Sequence, residues 1–143
     1  MNVKWDIESI KRDMKEKARE GVTQVAEWIR KEAVRRIEDP PKTGRWYVGF
    51  PYRVGLPPHR ASAPGESPAD DFGNLKRSGR VEVESSRLQA SVSFGGDAVD
   101  YAADLEFGSF GTETTIEARP FLRPSVAEAR KVTKQIMEAE VFK

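Results

Sequence analysis

A long amphipathic pattern over residues 4–38 constrains the fold of the first quarter of the chain. Gly21 interrupts the pattern, which is consistent with a bend or with a close contact to another helix. Asp39, Pro40 and Pro41 end it, because proline lacks an amide N–H and restricts the residue before it. We therefore predict a half-solvated helix over residues 4–38 that lies on a sheet. Its apolar stripe, with spacings of three and four, is Val3, Ile7, Ile10, Met14, Ala18, Val22, Val25, Ile29 and Ala33.

Residues 51–74 differ from the rest of the chain because they hold five of its nine prolines and few side chains that build a core. A structureless connection longer than about 15 residues is unusual inside a compact domain, and it is commonly a functional arm or a disordered segment. A short strand over residues 45–50, rich in aromatic and β-branched side chains, precedes it. We predict an extended Pro-rich arm, with a plain flexible loop as the alternative.

The remaining residues, 75–143, alternate between strand patterns and helical patterns. Residues 80–84 and 88–94 predict a β-hairpin, and residues 97–107 predict a short helix that ends at Gly108. A last helix is expected to have Pro120 or Pro124 in its first turn and to run to about residue 140. The prediction is an α+β fold in a single domain, residues 1–143, with a long N-terminal helix and a C-terminal helix packed on a small, mainly antiparallel sheet.

The composition is lean for a chain that buries its own core. Leu, Ile, Val and Phe number 31 of 143 residues, close to the roughly 20% below which highly charged chains are often disordered. The net charge is only +1, but residues 42–80 carry a net charge of +4 and residues 81–143 one of −4. Such a separation favours head-to-tail attraction between copies, with a chance partition as the alternative.

Several functional classes are not supported by the residues present. The chain has no cysteine and one histidine, His59, which follows two prolines in the predicted arm. No catalytic residues, metal site or cofactor site are therefore predicted, and we expect no enzymatic activity. The chain also has no apolar run of about 18 residues and no signal-peptide pattern at its start. We therefore expect that the protein does not associate with a membrane. We also expect that it assembles in the cytosol.

Basic and aromatic side chains around the arm suggest contact with nucleic acid. They can follow a phosphate backbone and stack on bases, but a net charge of +1 is weak for a dedicated nucleic-acid binder. The alternative function is therefore a small, non-specific DNA-binding accessory protein. The residues concerned are Tyr52, Arg53, Arg60, Phe72, Lys76, Arg77 and Arg80.

Three sequence stretches occur together in one order. Residues 61–69 read ASAPGESPA and residues 71–78 read DFGNLKRS; residues 101–109 read YAADLEFGS; residues 118–125 read ARPFLRPS and precede the last helix. This series resembles the HK97-type phage tail-completion or head–tail joining proteins of the virion neck. Phe72 and Ser109 replace threonines of the family pattern, and Gly79 replaces an aliphatic residue at the start of a strand.

The resemblance implies a structural virion protein with no enzymatic activity. It implies a homo-oligomeric ring, expected to be a hexamer, in the neck of a tailed phage or prophage, where it joins head and tail or completes the tail. Neighbouring connector, tail-terminator or tail-tube proteins are the expected partners, and DNA in the lumen would be contacted without specificity. A tail terminator or connector at another ring position is the closest alternative. The implied location is the virion, after assembly in the cytoplasm of the host bacterium.

Two sets of candidate site residues follow. Glu106 is expected to be buried and paired with Arg119 or Arg123, because a buried carboxylate needs a partner. The candidate interface for other subunits consists of Tyr52, Arg53, His59, Arg60, Pro64, Glu66 and Arg77. The residues expected to hold the fold are Leu75, Tyr101, Glu106, Phe107, Gly108, Arg119, Pro120, Phe121, Leu122 and Pro124.

Overall fold

A computed structural model describes residues 6–39, 42–111 and 115–141, and it confirms the α+β fold. Two long helices are joined by short strands and short helices. In chain order the elements are α1 (Ile7–Glu38), β1 (Trp46–Tyr47), β2 (His59–Arg60), α2 (Asn74–Arg77), β3 (Arg80–Glu84), β4 (Gln89–Ser93), α3 (Ala102–Phe107), β5 (Ser109–Phe110), β6 (Thr115–Ile116) and α4 (Leu122–Val141).

Helix α1 confirms the amphipathic prediction over the described part of residues 4–38. The Asp6 carboxylate accepts a hydrogen bond from the Ser9 amide at 3.1 Å and caps the first turn. The helix ends at Glu38 because Asp39 adopts extended backbone angles. With 32 residues the helix is about 48 Å long, at 1.5 Å per residue. The predicted residues Val3, Lys4, Pro40 and Pro41 lie outside the described residues.

The two long helices pack against each other in antiparallel orientation. The Gln24 amide donates to Glu140 near the end of α4 at 2.8 Å, whereas Ala33 and Ile37 share a buried cluster with Phe121 at its beginning. Gly21 is buried against Met137 of α4, so it marks a close helix contact. The core cluster consists of Ala33, Ile37, Leu75, Val99, Ala102 and Phe121, with Phe94, Leu105 and Leu122 packed beside it.

The hairpin of β3 and β4 lies against α1 and matches its predicted pattern. Val81 pairs with Val92 and Val83 with Ala90, so the apolar side chains share one face. Leu88 has a φ of 51° and lies in the turn, which makes β4 shorter than the predicted strand over residues 88–94.

The structure differs from the predicted single sheet and from the predicted helix over residues 97–107. The strands form three separate antiparallel pairs, β1 with β2, β3 with β4 and β5 with β6. The helix begins only at Ala102, because the Val99 amide bonds to the Gly96 carbonyl at 2.8 Å and holds the preceding residues in a turn.

The Pro-rich segment, predicted as one arm over residues 51–74, is an exposed tip followed by a return to the body. Residues 59 and 60 form β2, and the Gly65 amide bonds to the Ala118 carbonyl at 2.9 Å. Ser62 and Pro68 are buried. The prediction is wrong for the second half of the segment, because backbone hydrogen bonds attach that half to the body.

No helix within the described residues is long and apolar enough to cross a membrane.

Candidate functional site

The exposed part of the Pro-rich segment, residues 48–58, is called here the arm tip. Every second side chain along it is apolar and faces solvent, and Phe50 is 86% exposed. Exposed apolar patches on a soluble protein mark sites of interaction. The apolar residues of the arm tip are Val48, Phe50, Tyr52, Val54 and Leu56.

Arg53 holds the arm tip in place from inside. It is only 7% exposed, and its Nη1 lies 2.8 Å from both carboxylate oxygens of Asp71. Its Nε donates to the Pro57 carbonyl at 2.6 Å, which closes the turn of the tip. The prediction that Arg53 faces a partner is therefore wrong, because its guanidinium is used within the chain.

The base of the arm is fixed by Glu66. The Thr43 and Ala63 amides each donate to its Oε2 at 2.9 Å, and the Thr43 hydroxyl donates to Oε1. These hydrogen bonds stabilise the charged form and lower the pKa of Glu66 to about 2, the Thr43 hydroxyl being the largest cause. Glu66, predicted as an interface residue, is therefore also engaged within the chain.

Gly44 lets two backbone segments approach at this base. Its amide donates to the Ala61 carbonyl at 3.0 Å, and a Cβ at this position would lie 2.6 Å from the carbonyl oxygens of Ala61 and Ser62. Any larger residue would push the start of the arm away from its return.

Cationic and aromatic side chains cover the surface beside the arm tip. The Arg45 guanidinium lies 5.4 Å from the ring centre of Tyr47 and 5.9 Å from that of Tyr52, and Arg60 lies 5.6 Å from that of Trp46. Among the described residues no carboxylate forms an ion pair with Arg45 or Arg60. We call these five residues the basic aromatic face.

The other predicted interface residues are dispersed. His59 Nδ1 lies 3.8 Å from Asp71 Oδ1, near Arg53. Pro64 is exposed where the segment returns to the body. Arg77 on α2 donates to the Phe72 carbonyl at 2.7 Å. Only Tyr52, Arg53, His59 and Arg60 of the predicted set are therefore brought together.

Glu106 caps the start of α4. It is 4% exposed, and its carboxylate accepts hydrogen bonds from the amides of Phe121, Leu122 and Arg123 at 2.8–2.9 Å. These amides have no partner within the helix, and the helix dipole favours a negative charge there. Arg123 Nε completes the site at 3.1 Å. Of the two predicted partners Arg123 is correct, whereas Arg119 instead donates to the Ser62 and Glu117 carbonyls.

The remaining residues expected to hold the fold divide by burial. Leu75 and Phe121 are buried, and the amide of Gly108, whose φ is 78°, donates to the Asp104 carbonyl at 2.8 Å. Phe107 and Tyr101, by contrast, are exposed, and the Arg123 guanidinium lies 4.9 Å from the ring centre of Phe107. Pro120, Leu122 and Pro124 are half-buried at the beginning of α4.

An apolar groove lies between α1, β4 and α4. Its volume is about 470 Å³, and aliphatic side chains and methionine dominate its lining. The sequence pattern predicted that some of these residues lie on the inward faces of their elements. It did not indicate that a groove remains between those faces. The lining residues are Val22, Val25, Ala26, Ile29, Ala90, Val92, Leu122, Val126, Thr133 and Met137.

The beginning of α1 extends past the end of α4 and leaves its apolar stripe uncovered. Ile7, Ile10 and Met14 are all exposed. Within residues 6–39, 42–111 and 115–141, no group of three or more His, Asp or Glu side chains is arranged to hold a metal ion.

No protein-family model, curated protein or solved structure matches the chain.

Proposed function

We propose that the protein is a structural subunit of a tailed phage or prophage virion, and that it assembles into a ring in the neck to join head and tail or to complete the tail. The observation that carries the proposal is the distribution of apolar side chains. Among the described residues, 16 large apolar side chains are exposed, whereas the eight buried hydrophobic residues include four alanines. Such a subunit gains much of its burial from neighbours.

The separation of the exposed surfaces supports a ring. The arm tip, the apolar groove and the start of α1 are separate surfaces built from different residues, so two copies can meet through unlike surfaces. Head-to-tail contacts of this kind close into rings when the rotation between copies permits. The proposed ring is a hexamer that lies against connector, tail-terminator or tail-tube proteins.

A role in the virion neck also agrees with the charge of the chain. DNA must pass through the lumen of such a ring, and strong binding would hinder its passage. A net charge of +1 supports weak, non-specific contact only. The proposed location is the virion, after assembly in the host cytoplasm, and no enzymatic activity is proposed.

Electron microscopy of the purified protein tests the proposal. We expect closed rings in class averages, and stacking or end-on attachment of these rings when purified tail tubes from the same particle are added. Images that contain only isolated subunits over a wide concentration range, with and without tail tubes, would contradict it.

The basic aromatic face favours a second candidate function, non-specific DNA binding. Arg45 and Arg60 have no ion-pair partner among the described residues, and the aromatic rings beside them offer stacking surfaces. Titration of labelled single-stranded and duplex DNA at several salt concentrations separates the two functions. The structural proposal predicts dissociation constants no tighter than the roughly 10⁻⁴–10⁻⁶ M of non-specific binding at physiological salt. A monomer that binds more tightly, with a steep salt dependence, would favour the second function.

A further inference from the structure

Two apolar surfaces have no partner within the described part of the chain. The arm tip exposes a series of apolar side chains, whereas the apolar groove is an open cavity between α1, β4 and α4. The residues that line the groove all lie within residues 22–29, 90–92 and 122–137, so none comes from the Pro-rich segment.

We propose that the arm tip of one copy occupies the apolar groove of a second copy. The inference rests on the proposed ring and names the contact that builds it. Since the tip and the groove are different surfaces, the contact is head-to-tail, and each subunit of a closed ring makes it twice.

The groove is large enough to accept side chains of the arm tip. An apolar cavity of about 150 Å³ accepts one benzene molecule, so a groove of about 470 Å³ has room for two or three side chains of the tip. Phe50 is the most exposed of these, with Val54 next at 67%. Met137 in the groove can adjust its shape to an aromatic ring, because its side chain is unbranched and polarisable.

The area that the tip offers is smaller than a stable dimer needs, which favours a contact that is repeated around a ring. An aromatic side chain buries about 150–250 Å², so the five apolar residues of the tip together offer on the order of 500 Å². A stable standard interface buries about 800 Å² on each partner. A single contact is therefore weak, and closure of the ring, where every subunit makes two contacts, supplies the rest.

The arm is fixed in a way that keeps the tip away from its own groove. β1 pairs with β2, Gly44 is bonded to Ala61, and Arg53 is bonded to Asp71. These contacts hold the base of the arm near the C-terminal end of α1, and the apolar side chains of the tip face solvent. A pre-formed projection loses less conformational entropy when it binds than a flexible loop would.

Two variants, each with one surface disabled, test the pairing. The tip variant carries Phe50→Ser and Val54→Ser, and the groove variant carries Val126→Glu at a rim position that is 36% exposed. All three positions are solvent-exposed, so circular dichroism should show an unchanged fold. Phe110→Ser is the matched control, because Phe110 is 87% exposed but lies outside both surfaces.

We expect the tip variant and the groove variant each to be monomeric by native mass spectrometry, and Phe110→Ser to assemble as the wild type does. At a protein concentration high enough for a single weak contact to form, an equimolar mixture of the two variants should form heterodimers, since one intact tip and one intact groove remain. A mixture that stays monomeric, or a tip variant that still forms rings, would overturn the pairing. In the latter case the ring itself would stand, whereas a wild-type protein that is always monomeric would refute the ring as well.

Disulfide formation gives a second, independent test. The chain contains no cysteine, so Val54→Cys in one sample and Val126→Cys in another introduce single thiols. After mixing and mild oxidation we expect a cross-linked dimer that contains both proteins. Pairing of Val54→Cys with Phe110→Cys instead, at an equal or higher yield, would contradict the proposal.

Discussion

Replacement of Glu106 is expected to loosen the start of α4 and to destabilise the protein. Glu106→Ala removes the acceptor for the amides of Phe121, Leu122 and Arg123. Glu106→Gln keeps the shape but removes the charge and half of the acceptor capacity. Arg123→Met is the matched control, because it removes the cation and leaves the three amide hydrogen bonds in place.

The magnitude follows from the burial of these groups. The Phe121 amide is the fully buried donor, and an unsatisfied buried donor costs about 1–3 kcal/mol. Loss of the cap for the two partly buried amides costs a further 0.5–2 kcal/mol or so. We therefore expect Glu106→Ala to lower the free energy of unfolding by about 3 kcal/mol, out of the roughly 5–15 kcal/mol typical of a domain. Arg123 is largely exposed, so its replacement should cost no more than about 1 kcal/mol.

Urea unfolding followed by circular dichroism measures these differences. The protein concentration must be the same for all variants, because assembly stabilises the folded state. The midpoint should fall in the order wild type, Arg123→Met, Glu106→Gln, Glu106→Ala, with a thermal shift of about 6–12 °C for the last. If Glu106→Ala does not fold, Glu106→Gln still tests the prediction, because its urea midpoint should lie below that of Arg123→Met. Equal midpoints for Glu106→Gln and the wild type would refute the cap.

Three further predictions concern the helix contact and the base of the arm. Gly21→Leu should destabilise the protein by about 1–3 kcal/mol through overpacking, because a Cβ there would lie 2.7 Å from Met137 Sδ; a thermal melt no lower than that of the wild type would contradict this. Gly44→Ala should cost a similar amount, because its Cβ would meet the Ala61 carbonyl oxygen, and limited proteolysis should cleave the arm faster than in the wild type. The pKa of Glu66 is lowered from 4.5 to about 2, so its stabilising effect is complete above pH 4.5 and is lost as the pH falls towards 2. Unfolding measured between pH 2 and 6 should therefore vary less with pH in Glu66→Gln, and identical pH profiles would show that the carboxylate does not hold the base.

The elements that depend on local periodicity were predictable from the sequence. The apolar stripe of α1 and the alternation of Val81 and Val83 in β3 are properties of neighbouring residues, and the structure confirms both. The Gly108 end of α3 was predictable for the same reason, since a glycine of positive φ after a helix is a local feature.

Contacts between distant segments were predictable only in part. Pairing of Glu106 with an arginine followed from the cost of burying an unpaired carboxylate, but its bonds to three amides at the start of α4 depend on how α3 and α4 pack. The return of the Pro-rich segment was missed, because backbone bonds such as that from Gly65 to Ala118 leave no mark on the side-chain pattern.

The exposure of the arm tip was predictable, but the use of its residues was not. The sequence predicted an exposed arm, and the tip does expose Tyr52 and its apolar neighbours; binding of a partner by this surface stays a prediction. The sequence did not indicate that Arg53 and Glu66 are used within the chain.

The mass of the purified wild-type protein in solution tests the central claim most directly. Sedimentation equilibrium over a concentration series should give one closed species that is a multiple of the 16.1 kDa subunit, with about 97 kDa expected for a hexamer. A mass of 16.1 kDa at every concentration would contradict the claim that this chain completes its burial in a ring.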